Sequence, residues 1–284
     1  MAKNPNGTAH ASAPTTRKSR RRNSMDVVDA KVAVDLATAQ TYSENVFLFV
    51  PNLIGYTRII LAGLSLHFMS YHPKYCTLAY GISAILDVAD GQAARALGQT
   101  SKFGAVLDMV TDRCATSCLL CYLSSAYPSY AIVFQSLISL DFSSHYMHMY
   151  SSLVTGSRSH KLVTSDVSRI LWYYYNDSRT LFFMCAGNEL FFVSLYLMKW
   201  IHTPISESLP LWLTSLSLPF LVHPFLTSVL TCITSFTWPQ LVALCSFPIC
   251  FTKNVINVVQ LWKASKILVG VDLAERAAAR GKAH

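Results

Sequence analysis

The stretch ILDVADGQAARALGQTSKFGAVLDMVTDRCA, residues Ile85 to Ala115, sets four aspartates into otherwise apolar sequence: Asp87, Asp90, Asp108 and Asp112. The first two are three positions apart and the last two are four apart, so on a helix each pair shares one face. A short turn near Gln99 separates the pairs, and helices joined by so short a turn pack as neighbours. We therefore expect the two acidic faces to converge.

Small residues accompany the aspartates on both predicted helix faces: Gly91, Ala94, Gly98, Ser101 and Gly104. Small side chains let helices approach closely, and here they also leave room for a ligand. Four carboxylates crowded in a low-dielectric cleft would be driven to protonate unless cations neutralise them. Hard oxygen ligands suit Mg²⁺ or Mn²⁺, so we predict that the four aspartates bind two divalent ions, with Arg95 placed to grip a phosphate.

The composition indicates a membrane protein. Of 284 residues, 52% are hydrophobic and 13% charged, whereas soluble domains carry roughly 25% charged residues. Long apolar runs approach the length of about 20 residues that a bilayer core requires. The net charge of +8 comes partly from Arg17 to Arg22 in a polar leader, which we interpret as a disordered tail and not as a nucleic-acid site.

We predict an all-α fold, a six-transmembrane-helix bundle preceded by an interfacial amphipathic helix. A disordered basic tail covers residues 1–24, the amphipathic helix 25–45, the membrane domain 46–268 and a basic tail 269–284. Within the domain, 204–238 is broken by prolines and is interpreted as an insertion or re-entrant segment. Basic residues at both ends place both termini in the cytosol, which requires an even number of spans. The expected spans are Val46–Phe68, Tyr75–Leu97, Gly104–Tyr127, Tyr130–Leu153, Leu181–Ile201 and Pro239–Leu268.

The spacing Asp87-x-x-Asp90-Gly91-x-x-Ala94-Arg95, then eight residues, then Gly104-x-x-x-Asp108-x-x-x-Asp112 resembles the signature of the CDP-alcohol phosphatidyltransferase family. The resemblance implies a membrane enzyme that moves a phosphatidyl group from a CDP-linked donor and releases CMP. It implies metal binding by the first three aspartates, and makes Asp112 the general base as well as a metal neighbour. It further implies donor contacts from a set of small and polar residues: Asn52, Gly91, Ala94, Arg95, Ser101 and Gly104. Arg58, in the first span with Asn52, is implied to border the nucleotide pocket.

The acceptor alcohol is indicated by segments outside the signature. Leu140–His148, Gly156–Lys161 and Cys185–Leu190 are similar to the inositol-using branch of the family, which implies myo-inositol as the acceptor and an endoplasmic-reticulum address. From the residues alone, the fourth span carries polar groups that could line a polyol site, because buried hydroxyls need partners: Asp141, Ser143, Ser144, His145 and His148. Of these, Ser143, His145 and His148 are the predicted acceptor contacts. The two histidines could equally join helices to each other.

Several alternatives stay open on the sequence. The same transfer could use glycerol 3-phosphate, serine or an amino alcohol, and the acids could instead form the path of a cation transporter, or the chain could be a scaffold. For the favoured reaction the expected partners are CDP-diacylglycerol, myo-inositol and membrane lipid, without nucleic acid, and a homodimer is allowed for.

Overall fold

A computed structural model describes residues 32–35, 44–155, 177–208 and 224–282. The chain divides into two compact units, Met1–Tyr42 and Ser43–His284. In the first, residues 32–35 form one helical turn with Val32 and Val34 exposed. The predicted tail 1–24 and most of the predicted amphipathic helix 25–45 lie outside the described residues, as does most of the polar loop between Thr155 and Arg179.

In the described part of the second unit all regular structure is helical. Short 3-10 turns, Val46–Leu48 and Pro128–Tyr130, precede the first and the fourth helix. The eight α-helices are α1 Val50–Phe68, α2 Pro73–Ala96, α3 Lys102–Ala126, α4 Ala131–Val154, α5 Ser178–Met198, α6 Ile205–Ser208, α7 Pro224–Ser235 and α8 Trp238–Lys282.

Each of the six predicted spans overlaps one long helix, and the predicted basic tail continues α8 without a break. Within the described ranges, two helices are long and apolar enough to cross a membrane on these grounds alone, Arg179–Met198 and Trp238–Gly281. Helices α2 and α3 carry several charged residues, which lower their mean hydropathy. The count of six crossings therefore stays a prediction.

The distribution of side chains fits a lipid environment. Each long helix leaves large apolar residues exposed, for example Ile60, Ile85, Val110, Ile132, Phe183 and Leu244. Several of the fully buried side chains are polar: Asn52, Ser65, Ser144, Asn257 and Gln260. Apolar surface on this scale would be unfavourable in water, while lipid tails accept it. Together with the two apolar helices, this pattern marks a membrane protein.

A tight turn joins α2 to α3. The prediction that these two helices pack as neighbours is wrong, because both pack against α1 and make few contacts with each other. Gly98 has φ of 64°, a left-handed conformation that costs glycine nothing and ends α2. Ser101 then caps α3, its hydroxyl oxygen accepting from the Gly104 N–H at 2.9 Å. The side chain of Gln99 accepts from the Val50 N–H at 2.9 Å, so the same turn is tied to the start of α1.

The hydrophobic core lies in the half of the bundle away from the aspartates. It gathers the second half of α3 with parts of α1, α2, α4, α5 and α8: Met69, Cys76, Leu119, Leu120, Leu123, Phe134, Phe192, Tyr196 and Cys250. The Tyr196 hydroxyl also donates to the Met69 carbonyl at 2.9 Å. This packing leaves the first half of α3 free to carry polar chemistry.

The segment between α5 and α8 returns to where it starts. The Ile205 N–H donates to the Phe236 carbonyl at 3.0 Å, and α6 packs against α7. Residues 209–223 of the predicted insertion lie outside the described residues. The two ends of the segment therefore lie side by side.

Candidate active site

The four aspartates of α2 and α3 converge on one guanidinium, that of Arg58 in α1. Arg58 is only 3% exposed. Its Nη1 donates to Asp90 Oδ2 and Asp108 Oδ1, both at 2.8 Å. Its Nη2 lies 2.7 Å from Asp87 Oδ1 and also donates to Asp112 Oδ1. Each terminal nitrogen thus holds one carboxylate from α2 and one from α3.

The acidic cluster has the donor set of a divalent-metal site. One carboxylate oxygen each from Asp87, Asp90 and Asp108 lies within 4.8 Å of the others. The oxygens are hard ligands, and they already surround a positive charge, so these residues fit a cation such as Mg²⁺ or Mn²⁺. Asp112 is held by the same guanidinium but stands outside this group of three.

Glycine permits the close contact between α1 and α3 beside the aspartates. A Cβ on Gly104 would lie 2.6 Å from Asn52 Oδ1 and 3.0 Å from Ser101 Oγ. Asn52 itself is 1% exposed, and its amide donates to the Val46 carbonyl at 2.6 Å. A side chain at position 104 would displace these groups, so the glycine sets the helix separation at this end.

The remaining residues predicted to contact the CDP-linked donor lie where α2 ends and α3 begins. Arg95 is exposed, one turn and a residue beyond Asp90, and its guanidinium lies over Gly91, 3.5 Å from where a Cβ would stand. Ala94 is half-buried. Ser101 has a structural role as the α3 cap, which would compete with any ligand contact by its hydroxyl.

A second polar cluster adjoins the first through Arg113. Its Nη2 lies 3.8 Å from Asp112 Oδ2, and its Nη1 donates to Asp141 Oδ1 in α4 at 3.3 Å. Two residues of α8 donate to the same oxygen, Lys253 at 3.1 Å and Asn257 at 3.2 Å. The helix nearest the C-terminus thereby reaches the region of the signature motif.

The three residues predicted to contact the acceptor alcohol occupy different environments on α4. His145 lies in the second cluster, with Nε2 2.9 Å from Arg113 Nη1. His148 is buried, and Ser143 is exposed. The nearby Glu189 of α5 accepts from the hydroxyls of Tyr80 at 2.6 Å and Thr116 at 2.7 Å, which joins three helices.

Sequence reasoning missed the central place of Arg58 and the contribution of α8. Arg58 was expected only to border a nucleotide pocket, and Lys253 and Asn257 were not singled out. A signal was present, because Lys253 is a charged residue inside a long apolar run, where charge is expensive and usually functional. The apolar sequence around Lys253 does not indicate which carboxylate the lysine contacts.

Comparison with known proteins agrees with this site. The family model for CDP-alcohol phosphatidyltransferases matches residues 48–205, more than half of the chain and all four aspartates. The chain belongs to the CDP-alcohol phosphatidyltransferase family and is a transferase.

Similar curated proteins carry one particular name, CDP-diacylglycerol–inositol 3-phosphatidyltransferase. The Schizosaccharomyces pombe protein is 52% identical over 236 residues, 83% of this chain and 95% of that protein. The Homo sapiens protein is 41% identical over 239 residues, covering 82% and 97%. The Candida albicans protein is 49% identical over 196 residues, covering 67% and 85%. No solved structure matches the chain.

Proposed function

We propose that this protein transfers the phosphatidyl group of CDP-diacylglycerol to myo-inositol, giving phosphatidylinositol and CMP. The observation that carries the proposal is the convergence of four aspartates from two consecutive helices on one buried cation of a third helix, α1. Family membership supplies the reaction type, and the relatives' printed name supplies the donor and acceptor.

The donor end of the reaction requires a counter-charge for the diphosphate. Divalent ions bound by Asp87, Asp90 and Asp108, with Asp112 beside them, would neutralise the diphosphate and make CMP a competent leaving group. We propose two ions, Mg²⁺ or Mn²⁺. Arg95, exposed at the edge of α2, would add a charged donor to the phosphates.

The small residues near the aspartates leave room for the CDP-linked donor. Gly91 and Gly104 present backbone without side chains, and Ala94 and Ser101 are short. Asn52 stands against Gly104 with its side-chain oxygen. We propose that these residues line the CDP-lipid site; Gly91, Ala94 and Gly104 are also positions of the signature.

Asp112 is the proposed general base. An inositol hydroxyl is a poor nucleophile at neutral pH, so it must lose its proton as it attacks. The hydroxyl oxygen would form a bond to the phosphatidyl phosphorus, and the proton would pass to Asp112. The bond between that phosphorus and the bridging oxygen would break, with its electron pair leaving on the CMP phosphate. Asp112 Oδ2 lies 3.8 Å from Arg113 Nη2 of the second cluster, which supports binding of the acceptor alcohol on that side of Asp112.

The acceptor contacts proposed from the sequence are Ser143, His145 and His148. The position of His145 against Arg113 supports its part in this set. The burial of His148 is compatible with either a ligand contact or a helix contact. Ser143 keeps the weakest support, because its side chain is exposed.

The membrane arrangement is also a proposal. Six long helices as crossings would put both termini on one side, and basic residues at both ends favour the cytosol. The bond between Ile205 and Phe236 supports a segment 204–238 that adds no net crossing. We further propose the endoplasmic-reticulum membrane as the location, with a homodimer allowed for.

An acceptor panel tests the reaction. Purified protein in detergent receives CDP-diacylglycerol with myo-inositol, glycerol 3-phosphate, serine or ethanolamine, each with Mg²⁺, Mn²⁺ or a chelator, and CMP release is measured. We expect release with inositol that depends on a divalent ion. Release with another acceptor but none with inositol would refute the proposed substrate.

A cation transporter has less support. A transport path needs ligands distributed along the bilayer, whereas these four aspartates meet at a single guanidinium. Metal flux in proteoliposomes without CMP production would favour the transporter.

A further inference from the structure

Asp141 in α4 is a buried carboxylate whose two oxygens have unequal surroundings. The residue is 6% exposed. Its Oδ1 accepts from three donors, Arg113, Lys253 and Asn257, at 3.1 to 3.3 Å. Its Oδ2 is buried and has no hydrogen-bond partner among the described residues. A buried charged oxygen without a partner is costly, so it points to a further hydrogen-bond donor, which a bound ligand can supply.

Two further buried polar atoms, both on α3, lack a hydrogen-bond partner among the described residues. Arg113 Nε is buried without a partner in the part of the chain that the structure describes. Ser117 lies four residues further along the same helix face, is 8% exposed, and its Oγ is unpaired in that same part of the chain. A ligand hydroxyl both donates and accepts hydrogen bonds, so it can satisfy a carboxylate oxygen as well as a guanidinium N–H.

The unpaired atoms lie next to the proposed base. The guanidinium of Arg113 contacts Asp141 Oδ1 with one nitrogen and faces Asp112 Oδ2 with the other. One guanidinium group therefore separates Asp141 from Asp112. An acceptor with hydroxyls around a ring could place one hydroxyl at each carboxylate.

The charges next to Asp141 restrict the kind of acceptor. Asp141 Oδ1 contacts the two cations Arg113 and Lys253, while Asp112 is also paired with Arg58. A neutral acceptor adds no charge to this arrangement. A phosphorylated acceptor would place negative charge beside the unpaired Oδ2, while an amino alcohol would place positive charge beside Lys253 and Arg113.

We propose that Asp141 is the specificity-determining residue for the acceptor, taking a hydrogen bond on Oδ2 from a ring hydroxyl that is not the attacking one. Lys253 and Asn257 of α8 are positioning residues that orient Asp141 by holding Oδ1. These two residues lie beyond residues 48–205 that match the family model, whereas Asp141 lies within them. The inference rests on the proposed function and assigns a neutral polyol as its substrate class.

The test separates acceptor binding from donor binding. Asp141→Asn keeps the size of the side chain, and its amide can replace the unpaired acceptor by an N–H donor. Losing one hydrogen bond to a charged group predicts a rise in KM for inositol of about 10- to 100-fold, with KM for CDP-diacylglycerol unchanged. A thermal shift of the protein on adding myo-inositol with CMP should be lost in parallel.

Two further variants guard against misfolding. Asp141→Asn leaves Lys253 buried without its counter-charge, so the double variant Asp141→Asn with Lys253→Gln removes both charges and should show the same rise in KM for inositol. Asp272→Asn, at an exposed position of α8, makes the same chemical change away from the site and should leave both KM values unchanged.

The outcomes distinguish this inference from the reaction itself. Wild-type turnover with inositol and an unchanged KM for inositol in both Asp141 variants would overturn the assignment alone. A rise in both KM values together with a lower Tm in both variants would make Asp141 a structural residue only. Wild-type protein that releases CMP only with a charged acceptor would overturn both proposals.

Discussion

The strongest test of the aspartate cluster is removal of the cation that joins it. Arg58 holds one carboxylate from α2 and one from α3 on each terminal nitrogen. Replacing Arg58 with Gln leaves four carboxylates facing one another in a largely buried cleft. We expect Arg58→Gln to destabilise the metal-free protein by driving α2 and α3 apart.

The size of the effect follows from the burial of the partners. Breaking a buried ion pair by removing one member costs about 3–5 kcal/mol. Three of the four aspartate side chains are about a third exposed, so solvent screening favours the lower end, about 3 kcal/mol. For a protein of this size, that corresponds to a decrease in Tm of roughly 6–12 °C.

Divalent ions should compensate for the missing guanidinium. A ligand at 100 times its Kd stabilises the folded state by about 2.7 kcal/mol. In the wild type a metal ion must compete with Arg58 for the same oxygens, so we expect a larger stabilisation by Mn²⁺ in Arg58→Gln than in the wild type. Arg58→Lys keeps the positive charge, but a single ammonium cannot reach all four carboxylates. The Tm of Arg58→Lys without metal should therefore lie between those of the wild type and Arg58→Gln.

The assay is thermal unfolding of purified protein in detergent, with chelator or with saturating Mn²⁺. Equal Tm values for the wild type and Arg58→Gln in chelator would refute the role of Arg58 as the internal counter-ion. Equal Mn²⁺-induced shifts in the two proteins would refute competition for the aspartate oxygens.

Three further substitutions, with Gly63→Ala as a control, probe the packing and the chemistry. Gly104→Ala forces its Cβ against Asn52 and should lower the free energy of unfolding by about 1–3 kcal/mol. We expect a lower Tm and weaker CDP-diacylglycerol binding. A Cβ at Gly63 meets nothing within 4 Å, so Gly63→Ala should leave the Tm and the binding unchanged. Gly187→Ala brings a Cβ to 2.6 Å from an isoleucine of α8 and should lower the Tm by a similar amount; a Tm equal to that of Gly63→Ala would contradict the observed closeness of α5 and α8. Asp112→Asn should keep the thermal shift on adding CDP-diacylglycerol but lower CMP release by at least about 100-fold, and full turnover would remove Asp112 from the role of base.

The convergence of the aspartates could be predicted because its causes are local. Helical periodicity put each pair on one face, and the turn around Gly98 brought the starts of the two helices together. The expected packing of α2 against α3 was wrong, because both helices pack against α1 and their aspartates meet at its Arg58. The same reasoning pointed to small residues at the contact, and Gly104 has that place against Asn52.

The contacts that complete the site depend on distant parts of the chain. Arg58 meets Asp112 across 54 residues of sequence, and Lys253 meets Asp141 across 112. No periodicity in α1 or α8 specifies these partners, because a buried charge shows only that a partner must exist.

The sequence by itself determined a lipid-embedded helical protein with a shared acidic centre, since hydropathy, helical spacing and a short turn act within a few residues of one another. Tertiary structure alone decided that Arg58 occupies this centre, that α8 reaches Asp141, and that Ile205 is hydrogen-bonded to Phe236. The physical reason is that hydrogen bonds and ion pairs between helices depend on how the helices pack in three dimensions, which local patterns do not encode.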